Sequence, residues 1–209
     1  MTGRPVQPVP PVQVAAPASA WNVANALTVL RLVLVPVFLV ALFHDGGDDA
    51  AWRVLACLTF GVASVTDRVD GELARRRGLV TDFGKIADPI ADKMLIGAAL
   101  IGLSVLGELP WWVTALVLAR EIGVTALRLV VIRHGVMPAS RGGKLKTLLQ
   151  SLAIGLLVLP TEGALSDVAL SVMGVAVVVT MVTGVDYVLR AVRLRRTSAR
   201  SELKRTRRT

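Results

Sequence analysis

The sequence has one cysteine, one tyrosine and two histidines, and aromatic residues make up only 4% of it. With Cys57 alone no intrachain disulfide can form, and its place inside an apolar run makes it a small packed residue. Two histidines give a His-based site little to work with, and His134 reads as a loop residue. The scarcity of aromatics leaves little to stack on bases, so the net charge of +9 does not point to nucleic acid. No strand-type alternation persists and no soluble-type repeat appears, so nothing favours a sheet or a repeat array. Ala18-Ser19-Ala20 mimics a signal-peptidase site, but no continuous apolar stretch precedes it, which argues against cleavage.

What is present in quantity is aliphatic. Of the 209 residues 54% are hydrophobic, with mean hydropathy +0.63. The excess over a soluble domain is modest in total, and its distribution decides the class. Six apolar runs follow one another: Leu27–Phe43, Ala51–Thr66, Ile86–Leu106, Trp111–Ile132, Leu145–Leu159 and Val168–Leu189. Each approaches the ~20 residues that carry a helix across a bilayer, and each can extend by a turn into its polar flanks. The expected fold is all-α, a polytopic membrane protein with six transmembrane helices. Trp111 and Trp112 open the fourth run as interfacial residues.

Charge alternates between the runs. The first connection, His44-Asp45-Gly46-Gly47-Asp48-Asp49, is acidic, and the second carries Arg68, Arg75, Arg76, Arg77 and Lys85. Gly107-Glu108-Leu109-Pro110 is acidic, Arg133 to Lys146 basic, Thr161-Glu162-Gly163 acidic, and the tail after Leu189 holds nine basic residues. Lys and Arg collect on the cytoplasmic side, so both termini are expected there, in the cell membrane. Residues 1–20, with Pro5, Pro8, Pro10, Pro11 and Pro17, read as a disordered cytoplasmic tail. Residues 21–190 form the membrane domain, and 191–209 a basic cytoplasmic tail suited to lie on anionic headgroups.

The chemistry concentrates in Asp67-x2-Asp70-Gly71-x2-Ala74-Arg75-x8-Gly84-x3-Asp88-x3-Asp92. At 100° per residue Asp67, Asp70, Ala74 and Arg75 fall on one side of a helix continuing the second run. Gly84, Asp88 and Asp92, four apart, line one face of the chain entering the third. Two such faces joined by a short loop can converge, and four carboxylates brought together repel unless cations neutralise them. Oxygen donors without His or Cys suit hard ions, Mg²⁺ first and Mn²⁺ second. Gly71, Ala74 and Gly84 let a ligand approach the backbone, and Arg75 can meet a phosphate as a planar fork. An ordinary charged connection would have no reason to place glycines and aspartates at helical spacing over 26 residues. Pro89 suits either a helix start with Asp88 as N-cap or a kink.

This spacing matches without a gap the signature of the CDP-alcohol phosphotransferase family, which the chain resembles over residues 22 to about 190. The resemblance implies a six-helix membrane fold, usually homodimeric, with two metal ions, Mg²⁺ or Mn²⁺. It implies that Asp67, Asp70, Asp88 and Asp92 hold the metals and that Asp92 is also the general base. Asp67, Asp70, Gly71, Ala74, Arg75 and Gly84 would contact the CDP-lipid.

Three further segments narrow the acceptor. Asn25 to Arg31 looks like the N-x-L-T-x-x-R opening of the phosphatidylglycerophosphate synthases within that family. Arg120-Glu121 with Arg128 resembles their R-E-x6-R segment, and Gly143-Lys144-Leu145-Lys146-Thr147 with Gln150 their G-K-x-K-T-x2-Q segment. The resemblance implies transfer from CDP-diacylglycerol to glycerol 3-phosphate, with membrane lipids around the site and no nucleic acid. Arg120, Arg128, Lys144 and Lys146 are basic residues on two runs, near the aspartates, able to hold the acceptor phosphate. Lys144 and Lys146 equally suit membrane anchoring, and Arg120 equally suits pairing with Glu121. Asp186 and Arg190 are spaced for a local ion pair. Phosphatidylinositol phosphate synthesis and cardiolipin synthesis are the alternatives inside the family. A divalent-cation transporter is the alternative outside it, and leaves Gly71, Ala74, Arg75 and Gly84 unexplained.

Overall fold

The computed structural model describes residues 23–77, 82–131, 141–161 and 163–206, with side chains left undescribed at 23–24, 67–77, 82–86, 88–89, 128–131, 141–144 and 193–206. Among these, six α-helices follow in chain order: α1 Val23–Leu42, α2 Ala50–Arg77, α3 Asp82–Val105, α4 Trp111–Val131, α5 Arg141–Val158 and α6 Ala164–Thr206. No strand occurs among the described residues. The all-α expectation holds. The Pro-rich segment 1–20 lies outside the described residues.

Each helix covers its apolar run to within one residue, and five of the six begin before it. α2 continues through the polar signature to Arg77, as the helical spacing of Asp67, Asp70 and Arg75 predicts. α5 starts at Arg141, a turn before Leu145. α6 passes from apolar to basic sequence without a break and ends at Thr206. Its 43 residues make a rod of about 65 Å, roughly twice the hydrocarbon thickness of a bilayer. Pro89 falls inside α3, which begins at Asp82, so the helix-start option for it is excluded.

Local chemistry fixes the turns. Asp49 caps α2, its Oδ1 accepting from the backbone N–H of Ala51 at 2.8 Å and of Trp52 at 3.1 Å. The tight turn at His44–Gly47 carries positive φ at Asp45, Gly46 and Gly47, which lets the chain reverse within four residues. His44 stacks on Trp52 with ring centroids 4.1 Å apart.

Packing combines an apolar interior with an apolar exterior. The interior is rich in small residues, with Ala41, Ala56, Ala63, Ala99 and Ala153 buried where helices meet. At Gly102 of α3 the Leu42 side chain from α1 comes so close that an added Cβ would lie 2.6 Å from its Cδ2. Phe38 and Phe60 meet tilted between α1 and α2. Buried hydroxyls join α3 to α4: Ser104 and Thr114 lie 2.7 Å apart, and Thr114 donates to the Leu100 carbonyl. The exterior, by contrast, carries aliphatic stripes at helical spacing: Val33, Val37 and Val40; Leu58, Val62 and Val65; Val178, Val182 and Val185. Water would penalise such surfaces; lipid tails do not. Two helical stretches, Asn25–Leu42 and Ala164–Val192, meet the length and apolarity of a membrane span among the described residues, and Ala50–Thr66 and Leu145–Val158 are shorter apolar helices.

One end of the bundle is locked by a buried cation. Arg53, 3% exposed, donates through Nε to the Val158 carbonyl at 2.8 Å and through Nη2 to the Leu157 carbonyl at 2.8 Å. Its other donors form a two-pronged pair with Glu108, at 2.5 and 2.7 Å. The start of α2, the α3–α4 connection and the end of α5 are thereby tied together. The two carbonyls belong to the last turn of α5, where a helix has no partners of its own to offer and a cation suits the dipole.

Candidate functional site

The signature residues sit on two helices that touch and are joined by a short connection. On α2, Asp67 and Asp70 lie ten and seven residues before the end at Arg77. On α3, Asp88 and Asp92 lie six and ten residues after the start at Asp82. At 1.5 Å per residue, Asp67 and Asp92 stand about 15 Å from the hairpin end, and Asp70 and Asp88 about 10 Å. The backbone therefore carries the four carboxylates at two matched levels. Gly71, Ala74 and Arg75 share α2, and Gly84 shares α3. The side chains of Asp67, Asp70, Ala74, Arg75 and Asp88 lie outside the described residues.

Asp92 is described, and it is half-buried on the wall of a cavity of about 150 Å³. The cavity is formed where α3, α4 and α5 meet, and Lys93, Glu121, Lys146, Thr147 and Gln150 also line it. Asp92 is close enough to Lys146 to act on it electrostatically. Four acids and bases from three helices, Asp92 and Lys93 on α3, Glu121 on α4 and Lys146 on α5, thus line one small cavity whose remaining walls include Ile96, Leu118 and Ile122. A carboxylate set of this kind, all oxygen and on facing helices, fits a hard divalent cation; Asp67, Asp70, Asp88 and Asp92 are the residues that would hold it.

Glu121 is the hub of the cationic side. It lies ten residues into α4 and accepts from Lys146 Nζ and, at 3.2 Å, from Arg120 Nη1. Lys146 is 6% exposed, so its ammonium is held where water cannot easily replace the carboxylate. Arg120 turns the other way. Its Nη2 donates to Thr183 Oγ1 at 3.1 Å, its stem packs on Gly184, and it lines a groove between α4 and α6 rather than the Asp92 cavity. Of the four basic residues expected at the acceptor phosphate, the structure therefore brings Lys146 to the cavity. Arg120 faces α6, and the side chains of Arg128 and Lys144 lie outside the described residues. Asp186 and Arg190 form the local pair at 2.9 Å.

Sequence reasoning gave Gln150 no role, nor Glu121 one beyond pairing with Arg120. An acid within an apolar run was the signal for Glu121, because a lone carboxylate at that depth demands a partner. For Gln150 the signal was its spacing, one turn beyond Lys146 on the same face. The Asn25–Arg31 segment forms a buried polar row on α1: Asn25, Thr28 and Arg31 are each under 7% exposed, and each is engaged in interactions.

Aspartates carried on a helical hairpin, a lysine held by Glu121 in the adjoining cavity and an aliphatic exterior suit an enzyme that handles phosphate groups at a membrane. In agreement, the family model for CDP-alcohol phosphatidyltransferase matches residues 21–183, and the chain belongs to that family, whose members are membrane-integral and generally depend on a divalent metal. More particularly, it is 61% identical over 181 residues to the probable phosphatidylglycerophosphate synthase of Mycobacterium tuberculosis H37Rv, a match spanning 87% of each chain. It is 37% identical over 180 residues to the CDP-diacylglycerol–glycerol-3-phosphate 3-phosphatidyltransferase of Bacillus subtilis, over 80% of this chain and 93% of the relative. The protein of the same description from Rickettsia typhi is 40% identical over 172 residues, covering 79% and 94%.

Proposed function

We propose that this chain transfers the phosphatidyl group of CDP-diacylglycerol to sn-glycerol 3-phosphate, giving phosphatidylglycerophosphate and CMP. The observation that carries this reading is the cavity shared by Asp92, Glu121 and Lys146, a carboxylate opposite a held cation at the inner end of the signature hairpin. The names of the relatives support the same acceptor.

In this mechanism Asp92 takes the proton from the primary hydroxyl of the acceptor. The freed oxygen attacks the lipid-side phosphorus, the bond from that phosphorus to the CMP phosphate oxygen breaks, and CMP leaves with the electron pair. Lys146, fixed by Glu121, holds the acceptor phosphate so that the hydroxyl lies in line. Gly71, Ala74, Arg75 and Gly84 take the CDP group, where Arg75 supplies a planar fork to phosphate oxygens. A bound pair of Mg²⁺ or Mn²⁺ ions on Asp67, Asp70, Asp88 and Asp92 would supply charge neutralisation at the pyrophosphate.

The same reading takes all six helices as membrane spans, with the site and both termini on the cytoplasmic side. The aliphatic stripes on α1, α2 and α6 support it, as does the length of α3, 24 residues or about 36 Å. A homodimer rests on the family resemblance. The test is an acceptor panel with labelled CDP-diacylglycerol and purified protein: glycerol 3-phosphate, inositol phosphate, phosphatidylglycerol and serine. CMP release should require glycerol 3-phosphate. Release with inositol phosphate or phosphatidylglycerol instead would overturn the acceptor, and metal flux into proteoliposomes without CMP release would overturn the enzyme.

A further inference from the structure

Gln150 is a buried amide without a task in the mechanism above. It lies on α5 one turn beyond Lys146, is 3% exposed, and lines the Asp92 cavity. Its Nε2 is buried and has no hydrogen-bond partner among the described residues. A folded protein leaves few such groups unpaired, and an unpaired donor on a cavity wall is matched by what enters the cavity.

The functional reading above, on which this inference rests, assigns the two ends of the acceptor. Asp92 faces the attacking C1 hydroxyl and Lys146 the phosphate on C3. The polar group left between them is the C2 hydroxyl. Gln150 stands one turn from Lys146 on α5 and lines the same cavity as Asp92 on α3, and its carboxamide matches that hydroxyl, with Nε2 donating to the hydroxyl oxygen. We propose that Gln150 reads the C2 hydroxyl of the acceptor and makes the enzyme selective for a 1,2-diol phosphate over a simple hydroxyalkyl phosphate. A site built to bond a hydroxyl rejects the analogue that lacks it, because its own polar group is then stranded.

The experiment compares kcat/KM for glycerol 3-phosphate and 3-hydroxypropyl phosphate, which lacks only the C2 hydroxyl, in the full chain and in Gln150→Met. Wild type should favour glycerol 3-phosphate by about ten- to a hundredfold, the ratio that one stranded buried donor sets. In Gln150→Met the two acceptors should fall within about threefold of each other, with the loss confined to glycerol 3-phosphate and the KM for CDP-diacylglycerol unmoved. The ratio is taken within one preparation, so a partly folded variant still reports it. Should Gln150→Met yield no active protein, Gln150→Asn, which draws the amide back by one methylene, should lower the ratio at least threefold. A wild-type ratio retained in whichever variant is active, or no discrimination in wild type, overturns the proposal while leaving the acceptor assignment standing. Wild type releasing no CMP with glycerol 3-phosphate overturns both.

Discussion

Replacing Arg53 with methionine removes the one side chain that joins the start of α2, the α3–α4 connection and the end of α5. The magnitude can be worked from its contacts. The carbonyls of Leu157 and Val158 belong to residues 5% and 0% exposed, and each loses a charge-assisted bond with little water to replace it. A stranded buried acceptor costs about 1–3 kcal/mol. Glu108, whose side chain is 35% exposed, can rehydrate, so its loss adds little. Methionine keeps most of the packed volume, which limits any cavity term. The sum is roughly 3 kcal/mol, or about 6–12 °C in the melting temperature of a chain this size. Arg53→Lys keeps the charge but not the fork, and should lose about half as much. The assay is thermal unfolding of purified protein in one detergent, with CMP release measured well below the transition. The site lies toward the other end of the bundle, so activity per folded molecule should stay within about twofold of wild type. A melting temperature for Arg53→Met within 2 °C of wild type would refute the assignment of this clamp to stability.

Two further substitutions probe packing and the basic wall. Gly102→Val places a branched side chain where even a Cβ would sit 2.6 Å from Leu42 Cδ2, so the buried Leu42 side chain must shift. A loss of about 1–3 kcal/mol follows, read as a lower melting temperature; an unchanged one would show that Leu42 moves aside freely there. Glu121→Gln keeps the shape but removes the charge that holds Lys146, so the acceptor KM should rise about tenfold while the KM for CDP-diacylglycerol stays put. A fall in kcat alone would contradict the positioning role of Glu121.

The helices were legible because burial in lipid requires long apolar runs, and Leu27–Phe43 or Trp111–Ile132 leave no other use for themselves. Their ends were less legible. α5 begins at Arg141 and α6 continues to Thr206 because a helix that already has its bonds keeps going through basic residues at no cost in backbone partners. That Asp67, Asp70, Asp88 and Asp92 would lie on helices was legible from spacing alone, since periodicity is a local property. Contacts between helices were not. Arg53 reads in sequence as one charge in an apolar run and Glu108 as one acid in a short connection, yet 55 residues apart they form one clamp. Arg120 shows the same limit: its type suited the acceptor phosphate or a pair with Glu121, and the structure gives it that pair together with Thr183 on α6. Which face of a helix a residue occupies follows from sequence; which neighbour that face meets does not.

The claim that everything else leans on is that the carboxylates of α2 and α3 form a metal-dependent transfer site with Asp92 at its centre. The direct measurement is CMP release from CDP-diacylglycerol and glycerol 3-phosphate by purified wild type and Asp92→Asn, each in Mg²⁺, after chelation, and after Mg²⁺ is returned. Wild type should fall to background on chelation and recover with the ion, and Asp92→Asn should be slower by about 10²–10⁴-fold in Mg²⁺. Turnover that survives chelation, or an Asp92→Asn rate within a few-fold of wild type, would contradict it.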